Sequence, residues 1–159
     1  MENTFPFKDS RCCERVYNAI IALNHEENSH NLELAHIFLN QAYEFKNYNL
    51  VRERAENILL LPDLNETDKQ AVYEKLAESY LKTDKKQQAL NAFKTASEME
   101  FDLKIQEDAY LNYAKLSYEI GNPYKSVPEV MNDYMAKYPN TPYKSEINTL
   151  LISSYITSK

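Results

Sequence analysis

Along most of the chain, apolar residues return every three or four positions, the period of a helix buried on one side. Val72, Tyr73, Leu76, Ala77 and Tyr80 share one such face, with Glu74, Lys75, Glu78 and Ser79 between them. The polar run from Lys82 to Lys86 interrupts the pattern, and Ala89, Leu90, Phe93 and Ala96 resume it. This predicts two antiparallel helices joined by a tight turn. Small Ala77, Ala89 and Ala96 let the backbones approach, while Tyr73, Leu76, Tyr80 and Phe93 fill the space between. The same reading over the whole chain predicts an all-α protein of eight helices, at 9–24, 29–46, 48–60, 66–83, 85–100, 103–120, 124–138 and 143–158.

Local signals set the helix ends. Asn65 to Asp68 and Asn140 to Tyr143 read as helix starts, because Asn, Thr and Asp side chains can accept from free N–H groups. Gly121-Asn-Pro123 reads as a stop and restart. Pro62 and Pro139 should close second helices, and Pro128 should lie in a first turn, where no hydrogen bond is lost.

The pattern repeats. Ala89-x3-Phe93-x2-Ala96 has counterparts 38 residues away on both sides, at Val51-x3-Ala55-x2-Ile58 and Val127-x3-Met131-x2-Tyr134, with a further upstream copy at Cys13-x3-Tyr17-x2-Ile20. Tyr43, Tyr80, Tyr118 and Tyr155 recur at spacings of 37, 38 and 37. Tyr73-x2-Leu76-Ala77-x2-Tyr80 followed by Ala89-x3-Phe93 resembles the tetratricopeptide repeat, W-x2-L-G-x2-Y…A-x3-F…P. Weaker copies are Leu111-x2-Ala114-Lys115-x2-Tyr118 with Val127, Met131 and the closing Pro139, and His36-x2-Leu39-Asn40-x2-Tyr43 with Val51 and Ala55. The Tyr- and Asn-rich style is similar to that of tetratricopeptide proteins of bacterial envelopes, notably of Bacteroidota. The resemblance implies a right-handed α-solenoid of antiparallel helix pairs. Its parts would be a partial unit at 9–24 (a second helix only), units at 29–62, 66–101 and 103–139, and the first helix of a further unit at 143–158. The last helix carries Ile147, Leu150, Leu151, Ile152, Tyr155 and Ile156 around more than one face, which suits docking on another chain or a longer natural protein.

Composition narrows the functions. Net charge is −6, so a bulk field for nucleic acid is not expected, since phosphate neutralisation needs clustered Lys and Arg. A single Gly argues against glycine-rich phosphate loops. No apolar run is long enough to span a membrane. The N-terminus lacks a basic start followed by an apolar core, so no signal peptide is expected, and the default compartment is the cytoplasm, or the periplasm or envelope for a piece of a longer protein.

Candidate chemistry is sparse. His25-Glu-Glu-Asn-Ser-His30 spaces its histidines one residue too far for the zinc-protease arrangement, which needs both on one helical face. Adjacent Cys12 and Cys13 are poorly placed for a disulfide with each other, and Cys13 falls at a small core position. No nucleophile, phosphate or dinucleotide motif occurs. The expectation is therefore no enzyme, no cofactor and no metal, and a protein or peptide partner.

The resemblance places ligand contacts on the first helices. In this chain these are Ile37, Gln41 and Glu44; Glu74, Glu78 and Leu81; Asn112, Tyr113, Leu116 and Glu119; and Thr149 and Ser153. Such a groove is acidic to neutral, suited to a basic or extended polar segment, with Asn112 and Tyr113 available to a peptide backbone. A wet helix face explains the same residues equally well. On this reading Glu74→Lys with Glu78→Lys weakens binding without harm to folding. The alternative role is a structural segment that self-associates through its apolar terminal helices.

Overall fold

The computed structural model describes residues 31–157, so the expected helix 9–24, both cysteines, His25 and His30 lie outside the described residues. Seven helices follow, and no strand occurs among the described residues: α1 (31–44), α2 (Tyr48–Leu59), α3 (Glu66–Lys82), α4 (Lys86–Glu98), α5 (Leu103–Ile120), α6 (Val127–Lys137) and α7 (Lys144–Thr157). Each helix from α2 onward packs on its chain neighbours, α3 also meets α5, and α5 meets α7.

Capping explains most of the boundaries. The Asn47 side chain accepts from Leu50 N at 3.3 Å, Asn65 from Asp68 N at 2.8 Å, and Asp102 from Lys104 N and Ile105 N at 3.0 and 3.1 Å. Each satisfies donors that the first helical turn leaves free. Lys46 and Asp84 end their helices in the left-handed region, at φ 57° and 61°. The turn bonds around them repeat as well, with Lys46 N donating to Tyr43 O, and Asp84 N to Leu81 O. Gly121, at φ 81°, ends α5 in a conformation that suits a residue without Cβ.

α6 begins three residues later than the pattern predicts, because Asn122 organises the loop before it. Its amide donates to Tyr113 Oη at 2.7 Å and Ser117 Oγ at 2.8 Å, and its carbonyl accepts from Tyr124 N at 2.8 Å and Lys125 N at 3.2 Å. Pro128 then sits in the first turn, as expected.

The buried side chains form two clusters. One joins Leu39 and Ala42 of α1, Val51, Ala55 and Ile58 of α2, and Val72 and Leu76 of α3. The other runs from Ala77 through Phe93 and Ala114 to Met131, Tyr134 and Ile147. Tyr73 and Tyr80 pack against both, so these two tyrosines bridge neighbouring hairpins. Burying Phe93 alone stabilises the fold by about 1.5–3 kcal/mol.

The second-helix register holds: Val51, Ala55 and Ile58 are buried like Ala89, Phe93 and Ala96. The first-helix register of the third hairpin needs correction. Buried Val72, Leu76 and Ala77 match buried Ala109, Tyr113 and Ala114, a shift of 37 rather than 38. Tyr118 therefore does not occupy the place of Tyr80; it is exposed, as is Tyr155.

Two buried glutamines tie the hairpins together. Gln70 Nε2 donates to the carbonyls of Met99 at 2.6 Å, Asp102 at 3.1 Å and Ala96 at 3.3 Å, and its Oε1 accepts from Asp102 N at 2.7 Å. Gln106 Nε2 donates to Ser97 O at 3.0 Å. Buried Gln70 thus satisfies the Met99 carbonyl and the Asp102 N–H of the α4–α5 linker and has its own amide satisfied in return.

Candidate functional site

The outward side of α1, α3 and α5 carries most of the residues expected to meet a ligand. Gln41 and Glu44 are exposed, and Glu74, Glu78, Leu81 and Asn112 are partly buried. Glu119 is exposed but pairs with Lys86. In α7, Thr149 is exposed with its hydroxyl donating to Ser145 O at 2.9 Å, and Ser153 is partly buried. Ile37 is half exposed on α1.

Tyr113 and Leu116 are not on this surface. They are 5% and 3% exposed, within the core. Tyr113 Oη accepts from Asn122 within the loop before α6, and burial rather than this bond takes the residue off the expected surface. The cause is the one-residue register error at Tyr118: one residue on a helix is a rotation of about 100°, enough to turn outward positions into the core. With the shift of 37, Lys115 rather than Leu116 takes the place of Glu78, and Lys115 pairs with Glu146 of α7 at 3.0 Å.

Polar bonds link the first helices. Tyr43 of α1 donates its hydroxyl to the Glu78 carboxylate of α3, and Lys75 Nζ donates to Asn40 Oδ1 at 2.6 Å. The bond to Glu78, with burial behind it, pushes the Tyr43 phenol well above its usual range. Glu78 is thus an inter-helix strut, and Glu78→Lys would break it. The double substitution expected to spare folding therefore loses this bond at Glu78, whereas Glu74 has no hydrogen-bond or ion-pair partner among the described residues.

Glu74 is the electrostatic centre of the surface. Burial first, then the negative charges of Glu78, Asp108 and Asp102, raise its carboxyl from 4.5 to about 7, with Lys75 acting in the opposite direction. Asp108 is a contributor that the sequence reading missed, since only the packing of α5 against α3 brings it near. Burial and these neighbours thus favour the protonated form of Glu74 within an acidic strip. No group of three His, Cys, Asp or Glu among the described residues is placed to hold a metal ion. No described helix is long and apolar enough to cross a membrane. No family model and no curated protein matches the chain.

Proposed function

We propose that the chain is a non-catalytic scaffold, a right-handed solenoid of tetratricopeptide-like helix pairs, that holds a basic or polar polypeptide segment against its first helices. The carrying observation is the partly buried strip around Glu74, where Glu78 and Asp108 crowd a carboxyl that has no cationic partner. A Lys or Arg side chain laid there relieves that repulsion and favours ionised Glu74. The 37- and 38-residue recurrence of buried positions supports the repeat reading.

Decalysine titrated into the protein at low salt tests this. Binding should weaken as salt rises and fall by about tenfold or more in the Glu74→Lys, Asp108→Lys variant. Salt-insensitive binding, or equal affinity in the variant, refutes the strip as the ligand surface.

A second reading is a structural segment that self-associates. It is favoured by Ile152, Tyr155 and Ile156 of α7, which are 61%, 53% and 68% exposed. Sedimentation that depends on protein concentration and is abolished by Ile152→Glu with Ile156→Glu would select it.

A further inference from the structure

A cavity of about 340 Å³ lies between α1 and α2, walled by Phe38, Ala42, Phe45 and Leu50, with Gln41, Asn47 and Arg54 as its polar groups. Its aromatic walls are open to solvent, Phe45 at 82% exposure and Phe38 at 44%. The turn that carries Phe45 is fixed: Phe45 N donates to Gln41 O, Lys46 N to Tyr43 O and Asn47 N to Ala42 O, each at 3.0 Å. The Asn47 side-chain carbonyl caps α2 by accepting from Leu50 N at 3.3 Å. An apolar recess with a few convergent polar groups is the usual form of a recognition pocket.

Arg54 gives the recess a sign. Its guanidinium lies 5.2 Å from the centre of the Phe38 ring and makes no ion pair among the described residues. An unpaired guanidinium stacked on an aromatic ring is positioned to take a carboxylate through two parallel N–H bonds.

We propose that this cavity docks a partner polypeptide in which a large apolar side chain is flanked by Asp or Glu. The apolar side chain fills the space between Phe38, Phe45 and Leu50, and the neighbouring carboxylate bonds Arg54. The charge preference is opposite to that of the Glu74 strip, so the two surfaces take different ligands and the proposal stands independently of the one above.

The test is nuclear magnetic resonance titration of the full chain with two capped hexapeptides. One has Leu-Phe flanked on each side by Glu-Glu, the other by Lys-Lys. The acidic peptide should shift the Phe45, Asn47 and Leu50 amides and the Arg54 side chain. Its affinity should drop by about tenfold in Phe45→Ala and in Arg54→Glu, and Arg54→Glu should bind the basic peptide better than the acidic one. Phe45 is so exposed that its removal leaves the fold intact, which an unchanged helical spectrum verifies. Equal response to both peptides overturns the proposal. So does silence at these resonances, whether the cavity is filled by residues preceding α1 or by a second copy of the chain.

Discussion

Replacing Glu74 with Gln should stabilise the protein, and only above mildly acidic pH. The folded chain keeps a proton on Glu74 up to about pH 7, whereas the unfolded chain releases it near 4.5. Between those values the folded state binds more protons, so stability declines as pH rises. The contribution is fully present below 4.5 and fully lost above about 7. The interval, at about 1.4 kcal/mol per pH unit, sets a ceiling of about 3 kcal/mol. Partial solvent access screens the carboxyl and reduces this to about 1–2 kcal/mol. Glutamine has nearly the same shape and never ionises, so it escapes the loss. Urea unfolding of both proteins from about pH 5 to about pH 8 is the assay. The curves should nearly coincide at the acidic end and separate by about 0.5–1 M in midpoint at the alkaline end, for a urea slope of about 2 kcal/mol per M. Parallel behaviour at all pH values, or a less stable variant near pH 8, would show that burial and the neighbouring carboxylates do not hold a proton on Glu74.

Gln70→Leu should destabilise by about 1–3 kcal/mol, because the Met99 carbonyl and the Asp102 N–H lose the partner that Gln70 supplies; an unchanged urea midpoint would refute the tie. Tyr80→Phe removes the 2.6 Å bond from the Tyr80 hydroxyl to Glu56 and should cost about 1 kcal/mol at this partly exposed place. The same variant leaves ring packing intact, so a loss much larger than that would point to repacking instead.

Helix positions were legible where apolar period and capping residues agree. α3 begins at Glu66, where Asn65 announces it, and α5 at Leu103, where the apolar period resumes. The late start of α6 was not, since it depends on Asn122 reaching Tyr113 and Ser117 across the loop. Nothing in the sequence marks Gln70 and Gln106 as buried, because burying an amide is costly unless its partners are supplied, and those partners come from the far end of α4 and the linker after it. In the candidate site, Glu74 and Glu78 came from the repeat resemblance; Asp108 was missed because only the packing of α5 on α3 brings it near, and Lys115 because Tyr118 displaced the register. That exposed tyrosine imitates a signature residue one position out of phase, and only burial of Ala109, Tyr113 and Ala114 exposes the slip.

On the proposed reading, each hairpin gains its stability by leaning on the next, rather than from one shared nucleus. Native-state hydrogen exchange in low urea measures it helix by helix. In a nearest-neighbour array, α4 and α5, which sit in the middle with partners on both sides, should open at the highest free energy, and α1 and α7 at clearly lower values. A single opening free energy shared from α1 to α7 would contradict the account.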